Sequence, residues 1–377
     1  MIDKLDILIV GGGVAGLSCG AALARKASVV VLEREEAIGY HSSGRSATWM
    51  HLGIGTAAMR ALTAASQDFF YQAPAWPDQV PLSIPHPALF VARQDELGQL
   101  GELERAMRGL SDRVRRVEAD SLRAMVPVLR TGDGQFVAGV CDDGAHRIDS
   151  HALLQHHQRT IIQRGGQVET GVRIRSIARS EGRWIVDTPS RSWSADIIVN
   201  AAGAWADEVA TMAGARPLGL VPRRRTIIGF AAPDGMDVAA WPFLKTVVDK
   251  GFYMLPESGR LLASPMDETP TVPTDAQAEE IDIATAAWRV EEATTLRISQ
   301  ITARWAGLRS FLPDGNPAIG YDRAAERFFW LAGQGGAGLQ TSPAIAEAAA
   351  ALILHEPWPQ RLAKAGVDAA AFSPTRF

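Results

Sequence analysis

Two groups of residues in this 377-residue chain have the types and spacing to do chemistry. The first is G-x-G-x-x-G at Gly11, Gly13 and Gly16, preceded by "LDILIV" (5–10) and followed by "VAGLSCGAALARK" (14–26). In order these read as a strand buried on both faces, a tight turn and a helix. A second strand, "ASVVVLERE", delivers Glu33 22 positions after Gly11. That spacing suits a dinucleotide. Gly11 permits the turn, Gly13 lets the backbone approach a pyrophosphate, and Gly16 lets the helix lie close to the strand. The helix N-terminus offers free N–H groups to phosphates, and Glu33 can accept from a ribose. Ala15 and Arg34 flank these positions and belong to the same expected site. Glu33 would repel a 2′-phosphate, which argues against NADP; the glycines alone do not separate NAD from FAD.

The second is Arg309, inside "RWAGLRSFLPDGNPAIG" (304–320). A guanidinium among Trp305, Leu308, Phe311 and Leu312 is expensive unless it meets an anion. Asp314 is the local structural candidate; the carboxylate of a ligand is the other. The residue alone leaves the choice open.

The stretch "GYHSSGRSATWMH" (39–51), shortly after Glu33, bears on the cofactor. It gathers Ser42, Ser43, Gly44, Arg45, Ser46 and Ala47. Hydroxyls, open backbone and one cation suit the rest of a longer, doubly phosphorylated ligand; the alternative is a surface turn.

The elements needed to position these groups can be read along the chain. A helix is expected over 56–73, a strand at "ALFVAR", one or two helices within 95–128, and a helix over 146–166 started by Asp149 and Ser150. "QVETGVRIRSIAR" and "RWIVDTP" read as strands. Residues 195–214, "ADIIVNAAGAWADEVATMAG", repeat the strand, small-residue turn and helix of the N-terminus. A third glycine junction comes after "FFWLAG" from 328. Between them, residues 217–300 alternate and are broken by prolines, as in an antiparallel sheet, with a helix over 277–299. The expected fold is therefore α/β: a discontinuous Rossmann-like unit (1–80, 146–216 and 320–377) plus an α+β unit on a mostly antiparallel sheet (81–145 and 217–319).

Composition narrows the function classes. The chain is 47% hydrophobic and 21% charged with a net charge of −4, an ordinary globular profile. Apart from Arg223, Arg224 and Arg225 no basic run stands out, so neither nucleic-acid binding nor a polybasic anchor is indicated. Two distant cysteines, Cys19 and Cys141, exclude a disulfide framework and a thiolate metal site of usual spacing. No metal is expected. No run is long and apolar enough to span a bilayer, and a cytoplasmic location is expected.

"GGGVAGL", "SSGRSA", "VNAAGAWAD", "WAGLRSFLPDGNPAIG" and "LAGQGGAGLQTSPA", in this order and over essentially the whole chain, resemble the D-amino-acid oxidase superfamily of FAD enzymes. Within it, "VVVLEREEAIGYHSSGRSA" and "RALTAAS" are most similar to bacterial FAD-dependent D-arginine dehydrogenases. The resemblance implies FAD, with Val172, Ala202, Gly203, Trp205, Gly335, Gly338, Leu339 and Gln340 joining the glycine and serine positions around it. It implies oxidation of an amine at the carbon bearing a carboxylate, and for a D-amino acid the products are an imino acid, then a 2-oxo acid and ammonia. Arg309 matches the arginine that grips the substrate carboxylate, Tyr253 the tyrosine that touches it, and Arg225 a second arginine near substrate. Gly336 would accept from the substrate amine, Gln340 would lie close to substrate or flavin, and His51 is a candidate proton acceptor or solvent gate. Neither cysteine falls where relatives attach FAD, so noncovalent flavin is expected. The electron acceptor, a quinone or O2, is left open. A peripheral seat at the inner membrane face is the alternative location, since some relatives are flavoprotein subunits of membrane-associated complexes.

The chain departs from those D-arginine enzymes at three positions. Ala88 stands where the resemblance expects a glutamate for the basic substrate, Ile54 where a lid tyrosine is expected, and Trp49 where a histidine is expected. These changes remove a negative charge and add apolar bulk. A neutral, bulky or apolar side chain is therefore expected on the substrate in place of a guanidinium, with glycine, N-alkyl or cyclic imino acids as alternatives.

Overall fold

The computed structural model describes residues 3–72 and 81–377. The expected unit boundary at residue 80 lies outside the described residues. Within them the chain forms a mixed α/β fold on two large sheets. The first has eight strands and a parallel centre, in the order Gln167–Glu169, Val29–Leu32, Asp3–Val10, Ser192–Asn200. The hairpin Ser176–Ser180 and Arg183–Asp187 joins antiparallel along the start of Ser192–Asn200, and Phe328–Ala332 runs parallel to its end. Ile7 and Ile9 enter the core on the side of helices Val14–Leu23, Ala57–Tyr71, Ser150–Gln163 and Gly338–Ile353. Leu8 and Val10 pack on the other side with Trp184, Trp193 and Trp330. Side chains alternate across a strand, so a sheet covered on both faces needs apolar residues at consecutive positions, as at 7–10.

Asp3–Val10, Ser192–Asn200 and Phe328–Ala332 are neighbours, and each runs into a glycine-containing turn at its carboxyl end. The three junctions expected from sequence therefore lie side by side, at the place where open parallel sheets bind ligands.

The second sheet has nine strands, and every pairing is antiparallel except Phe243–Thr246 with Ala88–Arg93. On one face Ile228, Leu244, Met254 and Ala263 pack with Ile283, Ala286 and Val290 of helix Glu280–Ala293. Registered partners share a face of a sheet. The pairs Arg223 with Arg309, Gly229 with Leu262, Leu262 with Leu255, and Tyr253 with Lys245 put Arg309, Arg225, Tyr253 and Lys245 together on the opposite face.

Two expectations differ in detail. Within 95–128, helices Leu97–Arg108 and Ala119–Met125 are separated by an edge strand, Val114–Glu118, whose charged Arg115 and Arg116 mask its alternation. The helix expected from 146 begins at Ser150, with Asp149 accepting from the Ala152 N–H; His146–Ile148 before it is the middle strand of a small third sheet with Trp49–Met50 and Ser83–Pro85. Among the described residues no helix is long and apolar enough to cross a membrane.

Candidate functional site

A cavity of about 510 Å³ opens at the glycine turns and is lined by residues of both large sheets. At the turn, Gly11 has φ of +114°, and a Cβ there would sit 2.3 Å from the carbonyl oxygen of Ala201. A Cβ on Gly16 would lie 2.0 Å from the Gly11 oxygen. Gly13 differs: a Cβ there would meet only the Ser43 hydroxyl, at 3.3 Å, so its open side faces the cavity. Helix Val14–Leu23 starts there with no side-chain cap from Gly13 and no acid in its first turn; the Val14 N–H donates to Ser43 Oγ. The positive end of the helix thus points at open space that Ala15 also lines, while Gly16 sits behind it against the strand.

Glu33 is buried and lines the same end. Its Oε2 accepts from the Gly12 N–H at 2.8 Å and its Oε1 from the Glu35 N–H at 2.9 Å, which fixes the carboxylate and leaves further lone pairs for a ribose. The Arg34 guanidinium lies 3.9 Å above the Trp205 ring, and Val172, Ala202 and Gly203 complete this wall. A backbone cradle with room at Gly13, a helix start without an acid in its first turn and a fixed acid form a donor and acceptor set that fits the dinucleotide half of FAD.

The serine-rich loop has a second role that its composition does not reveal. Ser42 Oγ donates to the Leu308 carbonyl at 2.6 Å, and Trp305 Nε1 donates to the Arg45 carbonyl at 3.2 Å. The Arg45 guanidinium donates to the carbonyls of Ala276 and Ala306 and pairs with Asp275 at 2.6 Å. The cation expected to meet a ligand phosphate is therefore engaged by the protein, because the loop crosses to the Ile301–Phe311 strand and its polar groups satisfy that strand's flank. Ser42, Ser43, Arg45, Ser46 and Ala47 all line the cavity; Gly44 instead turns the loop, its N–H donating to the Gly39 carbonyl at 2.8 Å.

At the far end, Arg309, Tyr253 and Arg225 line the cavity with Gly335, Gly336, Gly338 and Leu339. Asp314 is not the partner of Arg309; it binds Arg376 through both oxygens, at 2.8 and 3.1 Å. No hydrogen bond or ion pair among the described residues engages the Arg309 guanidinium. Burial, and after it the neighbouring Arg225, pushes its pKa down to about 10, so it remains cationic at neutral pH. The guanidinium lies against Gly336, where a Cβ would come within 2.9 Å of it and would push it from this position. The Tyr253 hydroxyl is buried and has no hydrogen-bond partner among the described residues. Arg225 differs from Arg309, since its Nε donates to the Asp267 carbonyl at 2.7 Å and its Nη2 to Glu268 at 2.8 Å. One unpaired guanidinium and one orphaned hydroxyl on a cavity wall are what a small carboxylate would satisfy.

Besides Gly16 and Gly44, five expected residues do not line this cavity. Ala88 is fully buried in its strand, registered with Phe243 and Asp142. Trp49 packs on Phe243 and His86, its Nε1 donating to the His86 carbonyl at 3.1 Å. Ile54 packs against the core of the first sheet's helices. Gln340 is buried and bonds both the N–H and the carbonyl of His51, and also Thr63. His51 stacks on Phe243 at 5.1 Å, and its Nδ1 accepts from the Gly53 N–H, which leaves the ring proton on Nε2. Burial, then Lys245 and Arg309, hold its pKa down at about 3, so the ring is neutral and a weak base.

Lys245 does not line the cavity either, but it stands beside Tyr253 on the same sheet face, a position that the sequence does not mark. Its only signal is the alternation in "FLKTVVDKGFYML": Phe243 and Lys245 share a face, and the turn brings Lys245 into register with Tyr253.

A family profile described as "FAD dependent oxidoreductase" (DAO) matches residues 6–352. The chain is 28% identical over 361 residues to glycine oxidase of Pseudomonas aeruginosa, covering 83% of this chain and 85% of that protein. It is 29% identical over 223 residues to human mitochondrial dimethylglycine dehydrogenase, of whose length it spans only a quarter. Its fold is similar to the crystal structure of glycine oxidase from Geobacillus kaustophilus, with a TM-score of 0.85 at 21% identity over 100% of this chain and 99% of that one.

Proposed function

Since this chain belongs to the DAO family of FAD-dependent oxidoreductases and is therefore an enzyme that uses FAD, we propose that it oxidises the carbon–nitrogen bond of an amino acid held by its carboxylate. The observation that carries this reading is the unpaired Arg309 guanidinium beside the unsatisfied Tyr253 hydroxyl on the cavity wall. Arg309 offers two parallel donors that suit a planar carboxylate, and Tyr253 donates a third hydrogen bond. FAD, when bound, supplies the acceptor for the hydride. The proposed cofactor residues are Gly11, Gly13, Ala15, Glu33, Arg34, Ser43, Ser46, Ala47, Val172, Ala202, Gly203, Trp205, Gly338 and Leu339. The flavin is proposed to be noncovalent; Cys19 and Cys141 are both buried away from the cavity.

What the protein's own groups do is orient and exclude. Arg309 and Tyr253 fix the carboxylate, so the neighbouring carbon is presented in one orientation. The amine binds best in its neutral form, because a cation would face Arg309. His51 does not serve as a base at neutral pH; its ring, stacked on Phe243, closes the wall behind the site. The imine product hydrolyses after release to a 2-oxo acid and ammonia.

The D configuration of the substrate rests on the resemblance to D-arginine dehydrogenases and is part of the proposal. A basic side chain is disfavoured, since the nearby acids Asp267 and Glu268 are engaged by Arg225 while Arg309 has no carboxylate partner. The expectation of a neutral or apolar side chain loses its support, because it rests on Ala88, Ile54 and Trp49, none of which lines the cavity. A second reading, oxidation of glycine or of an N-alkyl or cyclic imino acid, draws support from the glycine oxidase likeness. We further propose that residues 1–80, 146–216 and 320–377 form the FAD-binding unit and 81–145 and 217–319 the substrate-binding unit, in keeping with the strands of the two sheets. Anaerobic bleaching of the flavin by matched D- and L-amino acids, glycine and N-methylglycine tests the reading. Reduction by primary D-amino acids is the expected result; no reduction by any of them would overturn it.

A further inference from the structure

The sheet face that carries Arg309 and Tyr253 has one more charged group. Lys245 is the registered neighbour of Tyr253 on strand Phe243–Thr246, so the two side chains rise from the same face on adjacent strands. Its ammonium donates to the carbonyl of Thr246 at 3.1 Å, and no carboxylate among the described residues lies within hydrogen-bonding distance of it.

The surrounding acids are unevenly shared among the cations. Arg225 has Glu268 at 2.8 Å and the Asp267 carboxylate at 3.9 Å, and Arg224 has Asp282 at 2.9 Å. Arg309 and Lys245 have no such partners. Asp249, the acid closest to Lys245 in sequence, is exposed. His51, which feels both cations, is neutral. Burial pushes the Lys245 pKa down to about 8, with Arg225 and Arg309 adding to the shift and Asp249 opposing it. A carboxylate held by Arg309 answers one of the two unpaired cations and leaves the other.

We propose that Lys245 is a specificity residue that receives a second anionic group of the substrate, which makes the preferred substrate an amino dicarboxylate or an amino acid with a comparably anionic side chain. This inference rests on the reading of Arg309 and Tyr253 as the site of the first carboxylate. The geometry supports it on three counts. The cation stands one strand beyond Tyr253 on the same face. Its single hydrogen bond is to a backbone carbonyl, which an incoming carboxylate can replace or join. A lysine stem is long and flexible enough to swing its head group toward the cavity. It also explains why a basic substrate would be rejected, since its side chain would meet Lys245 instead of an acid.

The test compares side chains that differ in charge and little in shape. D-glutamate and D-glutamine, with the L-enantiomers and D-leucine run in parallel, are used to reduce the flavin of the holoenzyme under anaerobic conditions. The expected ratio of kcat/KM for glutamate over glutamine, in the enantiomer that reacts, is at least tenfold. In Lys245→Met, retaining its yellow FAD, the ratio should fall to about one, and Lys245→Arg should keep most of it. A wild type that reduces with glutamine or leucine as fast as with glutamate overturns this inference and leaves the proposed function standing. A ratio in Lys245→Met equal to wild type, or one in Lys245→Arg that collapses as it does in the methionine variant, overturns the assignment to a lysine cation. Failure of every amino acid overturns both readings.

Discussion

At the glycine-turn end of the cavity main-chain atoms and small side chains of the turns stand beside Glu33, Arg34 and Trp205, and the glycines and Glu33 are held by protein contacts. At the sheet end they are long side chains, Arg309, Arg225 and Tyr253, brought together from three strands, with Lys245 on a fourth beside them. The first end is internally satisfied: Glu33 holds two backbone N–H groups, and Gly11 and Gly16 touch protein on the side a Cβ would occupy. The second is not, since the Arg309 guanidinium and the Tyr253 hydroxyl there lack partners among the described residues and the Lys245 ammonium has only a backbone carbonyl. A site that must bind many times the same cofactor can be built into the backbone. A site that must choose a substrate and release its product keeps its strong groups unsatisfied until the ligand arrives.

That contrast can be broken by substitution, and the largest effect is expected at the unsatisfied end. Arg309→Met should retain FAD and its spectrum while kcat/KM falls by about 3 to 5 kcal/mol, since a charge-assisted bidentate pair is lost. Steady-state kinetics with the best amino acid reads this. At the other end the glycines should behave unequally. Gly16→Ala, with its new Cβ 2.0 Å from the Gly11 oxygen, should destabilise the apoprotein by about 3 kcal/mol, as overpacking does. Gly13→Ala should leave apoprotein unfolding within about 1 kcal/mol of wild type, in line with a site away from such clashes, while weakening FAD binding. Thermal unfolding and a fluorescence titration with FAD separate the two; equal stability losses would show that Gly13 serves packing.

Tyr253→Phe sharpens the comparison with a smaller effect. The hydroxyl has no partner to lose, so removing it should leave the apoprotein as stable or stabilise it by about 1 kcal/mol. The same change should raise KM for the amino acid roughly tenfold, the worth of one hydrogen bond to a charged group. A clear fall in apoprotein Tm would mean that the hydroxyl has a structural partner. Asp314→Asn should do least. It weakens a partly exposed pair with Arg376 by at most about 1 kcal/mol and should leave turnover unchanged.

The same contrast explains how far the chain can be read without its fold. The parallel strands, the three turns and Glu33 are local: each follows from consecutive residues, periodicity and glycine chemistry, and each is legible. The mixed α/β fold on two sheets is legible for the same reason. Arg309 and Tyr253 come from resemblance, and the register that joins them, Arg223 with Arg309 and Tyr253 with Ser264, is long-range and carries no local mark. Arg45 looks like a free cation because nothing in "SSGRSA" announces Asp275 and two carbonyls some 230 to 260 residues away. Ala88 is expected at a ligand because the resemblance gives only a position, while the strand's pleat and the buried cluster it shares with Phe243 and Trp49 decide what that position sees. Lys245 escapes notice for the converse reason: a lysine in a half-polar strand is ordinary until pairing shows what lies opposite.

The most direct measurement is the binding of an unreactive carboxylate, benzoate, to the oxidised holoenzyme, followed by the change in flavin absorbance in wild type and in Arg309→Met. The predicted result is a saturable spectral change in the wild type, competitive with the amino acid substrate, and binding weaker by at least about a hundredfold in the variant, equivalent to about 2.7 kcal/mol. Equal affinity in the two proteins would contradict the assignment of Arg309 to the substrate carboxylate.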